Sequence, residues 1–484
     1  MAEAPTEPNA GPTSGFLRDT LRNATGSLIL FSARFVALAV IARTLGVEAF
    51  GVVALAILSA DLMVMLLLAG LPGVIVRFLP ILNTAARPEF RVLRRRWLLA
   101  SAGLLILVAP LVGYLVLDLT GGLIVLFACW VVAGAVQAAS LAEIQGAMRF
   151  DLVVWSLSLG ALALLMGAVL VVLVPTLASA FVALGAAPLA QLLPWFMLAR
   201  HEARLEGTAQ MPSGSEIIRY GTNVCVIAAL TAIVWSRGEL FVVEARLGET
   251  TLGHYGAAVT LTAMVWRLTG LLQGAVTPHL SRRLQTEQGV GPFLADMTRL
   301  TMTIAGIAAL GIALFGFELV NLIFGVEYAP AGALLAVMAP GIAMAGVTTV
   351  TLGVQLMSNA RVPRNALICG AISLLGLAWF MSGWFGAEGA ATARMLTMCG
   401  VAVAMPLWLI WKGSGPLGKQ ILLELCGTIL LVAAGSAISL FADLGFVERA
   451  LLWLVVSYGV LVRATGAWTP PAMMRQTLGM LRAL

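Results

Sequence analysis

The sequence has little charge. Only 11% of its 484 residues are charged, whereas 60% are hydrophobic, and the mean hydropathy is +0.99. A soluble globular domain is about 25% charged, because its surface must be solvated. Apolar runs of about 20 residues between short polar breaks are typical of transmembrane α-helices. We therefore predict an all-α polytopic membrane protein.

Cysteine and histidine are sparse as well. The five cysteines have no CxxC spacing, and the three histidines form no cluster, so we predict neither disulfides nor a metal site. The first fifteen residues lack the basic start and apolar core of a cleaved signal peptide. The outer loops are predicted to be short, and no nucleophile–base set is present, which argues against an enzyme such as a glycan polymerase or ligase.

Breaks at glycine, proline and charge clusters divide the chain into about fourteen spans. The predicted segments are a disordered cytoplasmic tail (1–15), an N-lobe with helices one to six (16–199), a cytoplasmic linker (200–216), a C-lobe with helices seven to twelve (217–411), two further helices (412–466) and a cytoplasmic amphipathic tail (467–484).

The distribution of arginine along the chain supports this number of spans. If the N-terminus is cytoplasmic, the inner segments hold most of the arginines and the outer segments hold mainly acids, as the positive-inside rule requires. The first inner loop alone carries Arg87, Arg91, Arg94, Arg95 and Arg96. The net charge of +6 therefore reports membrane topology and not nucleic-acid binding.

One heptapeptide pattern occurs twice, almost half the chain apart. LGVEAFG (45–51) and LGETTLG (247–253) each read Leu-Gly, three variable residues, one large apolar residue and Gly. The first Gly can end one helix, and the second lets the next helix pack closely. The repeat predicts two pseudo-symmetric six-helix bundles around a central cavity, which is a transporter architecture.

Further motifs give the chain a family resemblance. ARTLGVEAFGVVALAI (42–57), LPGVIVRFLP (71–80), ELFVVEARLGETTLG (239–253), IFGVEYAPAGALLAVMAPG (323–341) and FGAEGAATARML (385–396) occur in the expected order. With them the chain resembles the polysaccharide flippases of the multidrug/oligosaccharidyl-lipid/polysaccharide exporter superfamily. The resemblance covers about residues 16–411.

The resemblance implies translocation of a lipid-linked oligosaccharide. An undecaprenyl-diphosphate-linked glycan would be flipped from the cytoplasmic to the outer face of a bacterial inner membrane, by alternating access. The termini would be cytoplasmic. The implied partners are this lipid-linked oligosaccharide, membrane lipids and the polysaccharide biosynthesis machinery. No cofactor is expected beyond H⁺ or Na⁺ as a coupling ion.

Arginines deep in the spans indicate where a diphosphate could bind. Arg34 lies twelve residues before Gly46 and Arg237 eleven before Gly248, so both are about 17 Å from the outer turn. Arg267 reaches a similar depth, and Arg394 lies higher. Guanidinium groups offer permanently charged, bidentate donors to phosphate oxygens. We predict that these four residues form a cationic substrate site.

The acids near these arginines leave two interpretations open. Asp61 and Glu239 are candidates for the coupling ion, because a buried carboxylate favours its neutral form. Alternatively they are counter-ions, with Asp61 pairing Arg34, and Glu239 or Glu244 pairing Arg237 and Arg267. Outside this set, Arg77 either meets the substrate as it arrives or is an interface residue whose charge reaches the headgroups.

Two other functions within the same fold remain open at this stage. A drug or cation extruder should line its cavity with carboxylates and aromatics, whereas this chain has more arginine than acid at depth. A flippase for the peptidoglycan lipid precursor would carry the same diphosphate, so charge alone does not exclude it.

Overall fold

The computed structural model describes residues 12–80, 82–83, 85–200, 211–286, 290–357, 361–442 and 444–465. The predicted amphipathic tail 467–484 and most of the predicted linker 200–216 lie outside these residues. The predicted tail 1–15 is described only from Pro12, where the first helix begins. The chain divides into two units, residues 1–233 with 249–256 and residues 234–248 with 257–484.

Unit 1 contains nine helices among its described residues. They are α1 (Pro12–Leu45), α2 (Val47–Leu67), α3 (Leu71–Phe78), α4 (Arg87–Leu115), α5 (Gly122–Gly146), α6 (Phe150–Leu173), α7 (Leu177–Gln191), α8 (Leu193–Arg200) and α9 (Gly214–Thr231). Helix α6 packs against α1 and α7, and α5 packs against α7. Helix α9 packs on α2 and α3 and therefore belongs to unit 1. The predicted boundary between the lobes lay earlier, near residue 200.

Unit 2 contains the remaining helices. They are α10 (Leu240–Thr286), α11 (Val290–Ile323), α12 (Pro330–Ala343), α13 (Thr348–Met357), α14 (Arg361–Trp411), α15 (Gly415–Phe441) and α16 (Phe446–Thr465). A π-helix, Ala232–Arg237, joins α9 to α10, and short 3₁₀ turns flank α12. Helix α11 is central, because α12, α15 and α16 all pack against it.

The number of membrane crossings agrees with the prediction. Eleven helical segments of the described chain are long and apolar enough to span a membrane. Two of them, Gly214–Ala263 and Arg361–Trp411, are 50 and 51 residues long and bend sharply at Gly248 and Gly386, so each can cross twice. Helix α16 adds 20 residues, enough for one further crossing. The all-α polytopic fold is thus confirmed.

Helices α15 and α16, which follow the predicted C-lobe, bind α11 through polar side chains. Near one end of α11, Arg299 pairs with Glu424 of α15, with 3.3 Å between Nη2 and Oε1. Near the other end, Nη1 of Arg449 in α16 donates to the carbonyl oxygen of Leu314 at 2.8 Å. Both helices are therefore integral parts of unit 2.

The two copies of the heptapeptide share a backbone conformation at their first glycine. Gly46 has φ 82° and ψ 178°, and Gly248 has φ 80° and ψ 176°. This region is open almost only to glycine, because any Cβ would collide with the backbone. The first glycine of each copy therefore makes the same sharp turn between two helices, as the sequence predicted.

The second glycines of the two copies pack together within unit 1. A Cβ on Gly253 would lie 2.0 Å from the carbonyl oxygen of Val47, and a Cβ on Gly51 would lie 3.0 Å from the backbone nitrogen of Gly253. Beside them, Thr250 Oγ1 donates to Glu48 Oε1 at 3.1 Å. Small residues thus let α2 and the segment Glu249–Gly256 approach backbone to backbone.

Replacing Gly253 with Ala tests this contact. The added methyl group would overlap the Val47 backbone, which cannot rotate away, so we expect a loss of about 1–3 kcal/mol or more. The measurement is the melting temperature of the purified chain in detergent. The control is Gly400→Ala, where nothing lies within 4 Å of the new Cβ and the melting temperature should be unchanged or slightly higher. Equal melting of the two variants would contradict the close contact.

Candidate transport site

Unit 1 exposes an acid and an arginine halfway along its spans. Arg34 of α1 and Asp61 of α2 lie 3.8 Å apart between Nη2 and Oδ2, and their side chains are 33% and 58% exposed. Hydrocarbon does not solvate such groups, so ionisable residues at this depth face a bundle interior or a water-filled space. Arg34 and Asp61 are the partners that the counter-ion interpretation named, but more than half of the Asp61 side chain is exposed.

Arg77 lies at the end of α3 and is exposed. Its guanidinium carbon is 4.2 Å from the ring centre of Tyr220 in α9 and 5.3 Å from that of Phe78. The two rings meet edge to face at 5.8 Å. Aromatic faces attract cations, so this geometry holds the charge at the surface of unit 1. The residue is positioned for either role predicted from the sequence.

A groove of about 430 Å³ runs between α3 and α5 in unit 1. It is lined by Pro72, Gly73, Val76, Gln137, Ala138, Leu141, Ala142 and Gln145. Its two amides lie on one face of α5, and Nε2 of Gln137 donates to Oε1 of Gln191 at 2.8 Å. The sequence analysis did not single out these glutamines, although an amide inside an apolar span is itself a signal.

A buried acid joins three helices of unit 1. Oε2 of Glu143 in α5 accepts from Nη1 of Arg94 in α4 at 2.9 Å and from Nε1 of Trp195 in α8 at 2.8 Å. The side chains of Glu143 and Arg94 are 8% and 16% exposed. From the sequence, Arg94 was expected only to be one of the arginines that mark the cytoplasmic side. A single acid in the apolar span 121–148 was the signal that pointed to a partner.

Unit 2 places the second deep arginine next to a broken helix. Arg237 ends the π-helix Ala232–Arg237, is partly buried, and donates from Nη2 to Thr260 Oγ1 at 3.3 Å. Gly238 and Glu239 form a turn before α10 begins at Leu240. The first helix of the predicted C-lobe was expected to pass this position without a break, although Gly238 marks the interruption. π-Helices and breaks of this kind occur often at functional sites.

Glu239 and Arg394 form a buried ion pair in unit 2. Nη1 of Arg394 makes a close contact with Oε1 of Glu239, and Nη2 donates to the carbonyl oxygen of Trp235 at 3.1 Å. The two side chains are 0% and 1% exposed. The sequence assigned these residues separate roles, in ion coupling and in substrate binding. The structure brings them together, and both roles remain predictions.

The fourth predicted arginine is described only in part. Arg267 lies on α10, but its side chain is outside the described part of the structure. Trp266 next to it stacks on Trp235, with ring centres 4.5 Å apart and an interplanar angle of 19°.

Comparison with known proteins identifies the family and the fold. A family model described as "Polysaccharide biosynthesis protein" matches residues 40–333. A search of curated proteins found no significant match.

Solved transporters share the fold at low sequence identity. The structure titled "Lipid II flippase MurJ, inward closed conformation" aligns with a TM-score of 0.67 and 14% identity, over 91% of this chain and 98% of that one. An inward-facing multidrug resistance MATE family transporter of the MOP superfamily aligns with a TM-score of 0.62 and 13% identity, over 84% and 99%. A mutant of the Vibrio cholerae MATE transporter VcmN gives 0.60 and 12%, over 82% and 96%.

Removing the acid of the Arg94–Glu143–Trp195 cluster should destabilise unit 1. In Glu143→Ala the buried guanidinium loses its counter-charge and the indole N–H loses its acceptor, which costs about 3–5 kcal/mol. Glu143→Gln should cost less, because an amide oxygen still accepts from Trp195. The melting temperature in detergent reports both losses.

The matched control is Glu424→Ala in unit 2. It breaks the pair with Arg299, whose side chains are 33% and 20% exposed, so water can partly replace the lost partner. A loss as large as that of Glu143→Ala would show that burial does not set the strength of these pairs.

Proposed function

This chain belongs to the polysaccharide biosynthesis protein family, and we propose that it is a flippase for lipid-linked oligosaccharides. Its substrate would be a glycan on a polyprenyl diphosphate such as undecaprenyl diphosphate. Movement would run from the cytoplasmic to the outer face of a bacterial inner membrane, by alternating access. The glycan would then serve the synthesis of a surface polysaccharide.

The observation that carries this proposal is the open charge at mid-span in unit 1. Arg34 is one-third exposed and only loosely paired with Asp61 at 3.8 Å. A diphosphate brings negative charge that hydrocarbon cannot solvate, so its carrier must supply cations along the path. A guanidinium is permanently charged and can donate two hydrogen bonds to phosphate oxygens. Arg34 would be the first such donor.

Arg237 supplies a second guanidinium, in unit 2. It follows from the repeat that Arg34 and Arg237 lie at nearly the same distance from equivalent glycine turns, Gly46 and Gly248. Arg267 would add a third. Arg394 is buried against Glu239, so the proposal does not depend on it.

The orientation predicted from the distribution of arginine is compatible with this direction of transport. Arginine-rich segments on the cytoplasmic side would place the substrate, which is made there, near a basic surface. Arg77, held against Tyr220 at the end of α3, would meet the diphosphate on arrival. Asp61 is the exposed carboxylate at depth and is the candidate for a coupling H⁺ or Na⁺.

Reconstitution tests the proposal directly. The purified chain in liposomes should move a polyprenyl-diphosphate oligosaccharide from one leaflet to the other, measured by a membrane-impermeant enzyme that modifies only the accessible sugar. Parallel liposomes with the peptidoglycan lipid precursor and with a cationic dye report the two alternative functions. Transport of the dye alone would refute the proposal.

A deletion strain gives the cellular counterpart. Lipid-linked glycan should accumulate on the cytoplasmic face, and surface polysaccharide should fall. Normal surface polysaccharide in that strain would contradict the assignment.

Arg34→Gln should reduce glycan transport about tenfold or more, because it removes a charged donor worth about 1.5–3 kcal/mol to the diphosphate. Arg299→Gln is the control, since Arg299 is also 33% exposed and ion-paired but fastens α11 to α15. Initial transport rates should stay near the unmutated value in the control. Equal rates in both variants would remove Arg34 from the site.

A further inference from the structure

We infer that the guanidinium of Arg394 permanently occupies the site beside the Glu239 carboxylate in unit 2. Without this guanidinium, the site would bind a monovalent metal ion or a proton. Glu239 is then a fixed structural anion, not a coupling group. The inference concerns the ion chemistry of unit 2 and holds whichever substrate the protein carries.

Glu239 lies where a lone carboxylate could not remain charged. It is nine residues before the turn at Gly248, and Arg394 is eight residues after the turn at Gly386, so both are about 12–14 Å along their helices. The hydrocarbon core is about 30 Å thick, and neither side chain reaches its edge. With 0% exposure, the carboxylate of Glu239 needs a cationic partner inside unit 2.

The groups around the guanidinium are oxygen ligands of the kind that bind small cations. One is the carboxylate of Glu239, and another is the carbonyl oxygen of Trp235 in the π-helix that interrupts the span. Carbonyls of unwound helix segments, together with carboxylates, form the sodium sites of many transporters. Here Nη1 and Nη2 of Arg394 bind both oxygens at once.

The cavity beside the guanidinium is small. The adjacent cavity, lined by Trp235, Thr262, Trp266, Gly341, Ile342, Ala345, Arg394 and Met398, has about 10 Å³ of free volume. This is about enough for one water molecule. Nε of Arg394 is buried without a hydrogen-bond partner among the described residues and can bind that water. The guanidinium of Arg394 therefore already occupies the two oxygen ligands that a metal ion would use here.

The test is thermal melting of the purified full chain in detergent, in NaCl, LiCl, KCl or choline chloride at equal ionic strength. The unmutated chain should melt at the same temperature in all four salts. Arg394→Ala should melt lower in choline chloride and recover several degrees in NaCl or LiCl, because a small cation then fills the vacated site.

Two further variants make the result specific. Glu239→Gln combined with Arg394→Ala should show no difference among the salts, since the anion is gone. Arg394→Lys should be as insensitive as the unmutated chain, because its ammonium group can replace the guanidinium.

Three results would overturn the inference. One is specific stabilisation of the unmutated chain by Na⁺ that Glu239→Gln abolishes. Another is Arg394→Ala that folds but melts identically in every salt. The third is Arg394→Ala that cannot be recovered folded in any salt while the double variant folds. Recovery of Arg394→Ala in NaCl but not in choline chloride would support the inference.

Discussion

The structure depends on one constraint: hydrocarbon solvates neither charges nor free backbone groups. Every ionisable side chain within the spans must therefore find a partner inside the protein or face water. Glu143 and Glu239 find a partner inside the protein. Glu143 accepts from Arg94 and from Trp195. Glu239 pairs with Arg394, which also donates to the carbonyl oxygen of Trp235. Asp61, in contrast, has more than half of its side chain exposed. This difference separates charges that hold helices together from charges that stay exposed.

The same constraint explains the glycines. A sharp turn between two spans must keep its backbone compact, and only glycine reaches the conformation shared by Gly46 and Gly248. Close packing after the turn then needs a residue without a side chain, as at Gly51 and Gly253. Two copies of one heptapeptide thus encode both the repeat and the contact between its copies.

The sequence predicted the helical fold and the number of spans well, because length and apolarity alone decide whether a helix crosses a membrane. It also located Arg34, Asp61, Glu239 and Arg394 as charges that require an explanation. It could not predict that Glu239 pairs with Arg394, 155 residues away, because pairing depends on how helices rotate and pack. The helix break at Gly238 was missed for a similar reason: the carbonyl oxygen of Trp235 in the adjoining π-helix accepts from Arg394, which is also distant in the sequence.

The two acid–arginine pairs show how environment decides role. Arg34–Asp61 and Arg394–Glu239 have the same chemistry, but the first is 3.8 Å long and partly exposed, whereas the second is in close contact and fully buried. The longer, more exposed pair has the weaker attraction. Separating the second would leave two bare charges in a medium of low dielectric constant, which is strongly unfavourable. Two pairs of the same residue types thus differ in strength because one is partly exposed and the other is fully buried beside an interrupted helix.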